Sequence, residues 1–148
     1  MKNFLLILTL FVCERTLAQT KEDTLAIRKV ALDYIESQHR PHPNQMEAAL
    51  HPRLVKRTFW KDKVTGKEFV DENFAENMVI LAQRYNSKGD RFPASPRKEL
   101  KLLDVSDRTA SVKLYADEWI DYMHIVKVNG KWKIINVLWQ FYDSSRHQ

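Results

Sequence analysis

The dipeptide Asn129-Gly130 separates two runs in which apolar and polar residues alternate, Trp119 to Val128 and Lys131 to Phe141. A two-residue type I′ turn needs positive φ at both central positions, and Asn followed by Gly meets that need at least steric cost. The chain from Trp119 onward is therefore expected to be one long antiparallel hairpin. Two further strands are expected before it, Leu100 to Ser106 and Thr109 to Ala116, joined through Ser106-Asp107-Arg108-Thr109. A meander of this length has one face to bury, and the residues upstream must supply the cover.

They read as helices. From Glu22 to Gln38, Ile27, Val30, Ala31, Tyr34, Ile35 and Gln38 recur at three- and four-residue steps until Pro41 and Pro43 end the pattern. A short helix from Asn44 to Leu50 is closed by Pro52. Leu54 to Trp60 has strand character, followed by a turn at Lys63-Val64-Thr65-Gly66 and a short run, Glu68-Phe69-Val70. A second long helix is expected from Asp71, its N-cap, to Asn86, with Phe74, Met78, Leu81, Ala82 and Tyr85 on one stripe. Ser87 to Arg97, holding Gly89, Pro93 and Pro96, reads as a loop. No repeat or linker interrupts this order, so the class expected is α+β in a single domain, residues 19–148.

The first 18 residues stand apart. Lys2, the apolar stretch Phe4 to Val12 and the small-residue cleavage site Thr16-Leu17-Ala18 form the three-part pattern of a secretory signal peptide, whose apolar stretch is too short for a comfortable membrane span. Cleavage near Ala18 would remove Cys13, the single cysteine, and leave a chain without thiols, as suits an oxidising compartment. The expectation is export to the periplasm or beyond, with no membrane attachment after cleavage. The net charge of +5 is spread along the chain with acids interleaved, and patches such as Arg53-Lys56-Arg57 carry no aromatic ladder. Nucleic acid is therefore not an expected partner.

Strand parity gives a map of faces. A regular hairpin about Asn129-Gly130 pairs His124 with Ile135, Met123 with Asn136, Asp121 with Leu138 and Trp119 with Gln140. A two-residue turn at Asp117-Glu118 sets Leu114 opposite Asp121 and Val112 opposite Met123. One surface then holds Trp119, Asp121, Met123, Asn136, Leu138 and Gln140, and the other holds Tyr122, His124, Ile135, Val137, Trp139 and Phe141. The second surface also carries Ser111, Lys113 and Lys133 and is the wetter, so the first is expected beneath the helices. A carboxylate and two amides on an apolar inner wall describe either a small-molecule site or a polar network satisfied within the protein. Trp60, Trp119, Asp121, Met123, Asn136 and Gln140 are the ligand-binding candidates. Tyr122, His124, Val137, Trp139 and Phe141 would form an apolar outer patch suited to a homodimer interface.

Asp121-Tyr122-Met123-His124-Ile125-Val126-Lys127, then Asn129-Gly130-Lys131-Trp132-Lys133-Ile134-Ile135-Asn136-Val137-Leu138-Trp139, resembles the closing hairpin of the putative lumazine-binding family, part of the nuclear transport factor 2-like superfamily. His51-Pro52-Arg53-Leu54-Val55-Lys56-Arg57 resembles that family's segment after its second helix. The resemblance implies a cone-shaped α+β fold, a bent antiparallel sheet wrapped around helices and a pocket, often dimeric through the sheet's outer face. It implies no reaction, because the superfamily spans enzymes and pure binding modules.

Chemistry is correspondingly open. An isomerase- or dehydratase-like reading takes Asp121 as general acid/base, its pKa raised by burial, with Asn136, Gln140 or Tyr34 orienting a carbonyl. No Ser-His-Asp order, phosphate loop or committed carboxylate pair is present. His39 and His42 flank a proline-broken segment without nearby carboxylates, so no metal is expected, and no cofactor. His51 is read as a helix-end histidine, and His124 lacks a carboxylate partner on its own face. The favoured reading is a non-enzymatic domain binding a small apolar or aromatic ligand, beside a third possibility in which side chains fill the interior.

Overall fold

The computed structural model describes residues 20–148. The segment read as a signal peptide, residues 1–18 with Cys13, lies outside the described residues. Three helices, α1 (Lys21–His39), α2 (Pro43–Ala49) and α3 (Ala75–Arg84), accompany six strands. These are β1 (Leu50–Lys61), β2 (Glu68–Phe74), β3 (Glu99–Val105), β4 (Thr109–Tyr115), β5 (Trp119–Val128) and β6 (Lys131–Phe141). They form one sheet in the order β2-β1-β6-β5-β4-β3. All neighbours are antiparallel except β1 and β6, which run parallel. Among the described residues no helix is long and apolar enough to cross a membrane.

The hairpin forms as expected, with Asn129 at φ 50° and Gly130 at φ 75°. Helix α1 starts at a Thr20 cap, whose hydroxyl accepts from the Asp23 N–H. It buries Ile27, Ala31, Tyr34 and Ile35. Its first turn is tied to the hairpin through Asp23, which accepts from Trp132 Nε1 at 2.8 Å and Lys127 Nζ at 2.7 Å. Those two donors hold the Asp23 carboxyl below the usual carboxylate range.

Helix α3 departs from expectation at its start. Asp71 is not its N-cap but a residue of β2, paired with Thr58 of β1, and Phe74 pairs with Val55. The long ladder along β1 holds Asp71 to Phe74 extended, and the helix waits until Ala75.

The consequential departure is in β6. From Val128↔Lys131 to Ile125↔Ile134 the register is the regular one, but His124 then pairs with Asn136 and Asp121 with Trp139. Ile135 is an extra residue in β6, a β-bulge, and every side chain after it changes face. Val137 is fully buried and Leu138 is 55% exposed, the reverse of the regular register. The β4–β5 pairing keeps Leu114 opposite Asp121 and Val112 opposite Met123 as expected. The inner wall therefore carries Val112, Leu114, Trp119, Asp121 and Met123, joined by Val137, Trp139 and Phe141 in place of Asn136, Leu138 and Gln140.

The segment after β6 folds back on the sheet. His147 is buried, its Nε2 accepting from the Phe141 N–H at 2.9 Å and its carbonyl accepting from the Lys61 N–H at 2.8 Å. Its ring packs against Phe59, Trp60, Trp139 and Phe141. Burial lowers the pKa of His147, and burial likewise lowers that of His39 despite Asp117 nearby. Each imidazole therefore contributes stability that is present above the ordinary histidine value and is lost as pH falls toward the lowered folded one. The melting temperature is expected to fall between about pH 7 and about pH 5. His147→Gln should make that fall shallower in a calorimetric pH series. An identical slope in wild type and variant would show that the ring is not held neutral in the fold.

Candidate functional site

The inner wall of the sheet turns its centre into a polar floor. Along β1, Leu54, Lys56 and Thr58 share the buried face by simple alternation, so Lys56 is carried inside with its ammonium. Asp121 arrives from β5 and is wholly buried. Its Oδ2 accepts from Trp119 Nε1 at 2.9 Å, and its Oδ1 lies 3.3 Å from Lys56 Nζ. Lys56 Nζ also donates to the Tyr34 hydroxyl at 2.7 Å and sits 4.8 Å from the centroid of the Trp139 ring. The phenol comes from α1, so three elements meet on one ammonium.

This arrangement sets the charges. Burial alone would push the Lys56 ammonium down, but Asp121 and Tyr34 outweigh it and its pKa lies above the usual lysine value. Burial first, and the Asp121 charge second, push the Tyr34 phenol up to about 12. Lys56 is thus a fixed cation and Tyr34 a fixed neutral phenol at physiological pH. Neither is poised to exchange a proton there.

Above the floor lies a cavity of about 450 Å³. Trp119, Trp139, Phe141 and Lys56 wall it on the sheet side. Asn77, Met78, Leu81, Arg84 and Tyr85 wall it from α3 and its end. Asn77, Leu81 and Arg84 are at steps of four and three, one stripe of the helix. The loop between α3 and β3 sends Phe92 against His39, Tyr85 and Trp119, where it backs two of the cavity's residues.

The candidates from the sequence are distributed as follows. Trp119 lines the cavity, while Asp121 lies directly behind it, shielded by Trp119 and Lys56. Met123 is in the apolar core. Asn136 and Gln140 stand on the opposite face, because the Ile135 bulge turned them there. Asn136 joins an outer polar row, accepting from Arg57 Nη1 at 3.0 Å and contacting His124 Nδ1 at 3.3 Å. Trp60 packs against His147 near the end of β1, away from the cavity lining. Tyr122 and His124 face outward as expected, but Val137, Trp139 and Phe141 do not. The outer apolar patch therefore loses three of the residues that suggested a dimer interface. His51 follows the Leu50 cap of α2 as the second residue of β1, and its Nδ1 accepts from the Arg53 N–H. His39 Nε2 lies 3.6 Å from Asp117 Oδ2, and His42 is the residue before α2. Among the described residues no group of three or more His, Cys, Asp or Glu side chains is placed to hold a metal ion.

Lys56, Tyr85, Arg84 and Asn77 were missed as site residues by sequence reasoning. Lys56 had a legible signal, the alternation Leu54-x-Lys56-x-Thr58, obscured by the neighbouring Arg53 and Arg57 that made it look like surface charge. The α3 residues had none beyond sharing a stripe with core positions.

A buried ion pair loses more when one partner is removed than when both are replaced. Asp121→Asn leaves the Lys56 ammonium uncompensated and is expected to lower the unfolding free energy by about 3 kcal/mol or more in urea titration. The double variant Lys56→Met, Asp121→Leu should be more stable than Asp121→Asn alone. A loss below about 1 kcal/mol for Asp121→Asn would contradict a buried, charged pair.

The family described as "Putative lumazine-binding" matches residues 22–140. Among solved structures, a nuclear transport factor 2-like protein of unknown function from Methylobacillus flagellatus superposes with a TM-score of 0.60 at 18% identity, covering 84% of this chain and 96% of that one. One from Shewanella baltica gives 0.59 at 19% identity, with 85% and 99% covered. One from Silicibacter pomeroyi gives 0.58 at 13%, with 83% and 98% covered. A search among curated proteins finds no match to this chain. The helices, the six-stranded sheet and these superpositions establish a nuclear transport factor 2-like α+β fold, and the chain belongs to the putative lumazine-binding family.

Proposed function

We propose that this chain is a small-molecule-binding domain that holds a flat, largely apolar ligand between α3 and the inner ends of β5 and β6, without converting it. The observation that carries this reading is the cavity itself: about 450 Å³, walled by Trp119, Trp139, Phe141 and Tyr85, over a floor whose two charges, Lys56 and Asp121, are already paired with each other. A space of that size and lining suits a ring system, since aromatic walls offer large contact at low entropic cost. The isomerase- or dehydratase-like alternative needs Asp121 to exchange protons with the ligand. Its carboxylate has no exposure and engages Trp119 and Lys56, so a ligand would have to displace both to reach it.

The neutral probe 2-naphthamide tests the reading, because Trp119 and Trp139 would report its arrival by fluorescence. Saturable quenching is expected, with affinity reduced about tenfold or more in Trp139→Ala. Native mass spectrometry of protein purified from its own host should also show a retained small molecule. No saturable signal from neutral or charged naphthalene probes, and no retained mass, would overturn the proposal.

The same reading includes export, supported by the pattern of the first 18 residues. Amino-terminal sequencing of the mature protein should then begin at or next to Gln19. A start at Met1 would rule the signal peptide out.

A further inference from the structure

The cavity lining has a charge bias that its apolar walls do not explain. Among the described residues two cations, Lys56 and Arg84, border it, and no carboxylate does. These cations are not equivalent. Lys56 is buried and its charge is balanced by Asp121 behind the floor, so that end of the cavity is electrically closed. Arg84 is exposed on α3, and among the described residues no ion pair or hydrogen bond engages its guanidinium. Two turns earlier on the same stripe, the Asn77 carboxamide also lines the cavity, with no hydrogen-bond partner among the described residues. The unbalanced charge of the lining is therefore a single positive one, at Arg84, with an amide donor two turns away on the same stripe.

We propose that the ligand is an aromatic monoanion, a ring-bearing carboxylate, whose ring enters among Trp119, Trp139 and Phe141 and whose carboxylate is received by Arg84 with Asn77. This rests on reading the cavity as a binding site and specifies what that site selects. The guanidinium fork matches a carboxylate with two parallel N–H···O bonds, and an exposed arginine gives up little hydration to make them. One unbalanced cation favours one negative charge. A dianion such as a phosphate monoester would bring a charge for which the lining has no counterpart. The orientation is fixed as well, since a carboxylate pushed to the floor would meet a cation already committed to Asp121 and the Tyr34 hydroxyl.

The test compares 2-naphthoate with 2-naphthamide, two probes of nearly the same shape differing by one charge, titrated at pH 7 and low ionic strength against tryptophan fluorescence. The acid is expected to bind about tenfold more tightly than the amide. In Arg84→Gln that preference should shrink to about one, and Arg84→Lys should restore part of it. Arg53→Gln, an exposed arginine on β1 outside the cavity lining, should retain the full preference and so exclude a general effect of net charge. Equal affinity for the two probes in wild type, or a full preference surviving in Arg84→Gln, would overturn the anion assignment while leaving the cavity as a binding site. Failure of both probes to bind would remove the binding site and the anion assignment together.

Discussion

At Ile135 the ladder between β5 and β6 gives up one regular pairing, and each side chain beyond that point changes sides. The interior depends on this single insertion. With it, Val137 enters the core, and Trp139 and Phe141 come to stand over Lys56 and beside Trp119. Without it, Asn136 and Gln140 would take the inward places and two large aromatic rings would stand on the outer face. The hydrophobic gain from burying the rings decides the register, because each buries far more apolar area than one irregular ladder position forfeits.

The floor of the cavity follows from the same geometry. A buried lysine and a buried aspartate are costly to desolvate, and such a pair is tolerated when its geometry is good and the remaining donors and acceptors are occupied. Here Trp119 Nε1 donates to one carboxylate oxygen, Lys56 Nζ donates to the Tyr34 hydroxyl, and the Trp139 face lies within cation–π range, while Asp121 Oδ1 has the 3.3 Å ion pair and, among the described residues, no hydrogen bond. These residues come from α1, β1, β5 and β6, so the pair also fixes how the first helix sits on the sheet. Its charge balance leaves the cavity above it to be governed by ring contacts and by Arg84 at the rim.

Much of this was legible beforehand. The bounds of β5 and β6 were legible to the residue, the two-residue turn at Asp117-Glu118 gave the β4–β5 register, and Ser111, Lys113 and Lys133 on the other surface put Trp119, Asp121 and Met123 on the inner face. Parity then failed beyond Ile135 because a regular register was assumed. The signal for the bulge was present: large apolar residues at Trp132, Ile134, Val137, Trp139 and Phe141 step by two except once, where they step by three. Ile135 and Leu138 obscure it: Ile135, Val137, Trp139 and Phe141 also step by two throughout, and Leu138 is an apolar side chain left outside. The extension of β2 through Phe74 was not legible, since it depends on pairing with β1 and not on local propensity. The role of His147 was hidden for the same reason, as nothing in the last residues announces that they fold back over the sheet.

Thiol accessibility at two adjacent positions of β6 tests the central claim most directly. With Cys13 replaced by Ser, the single-cysteine variants Val137→Cys and Leu138→Cys are labelled with a water-soluble maleimide under native conditions. The bulged register requires rapid labelling at 138 and labelling at 137 only as fast as the protein opens. Rapid labelling at 137 with protection at 138 would restore the regular hairpin, return Asn136 and Gln140 to the interior and remove the aromatic cavity described above.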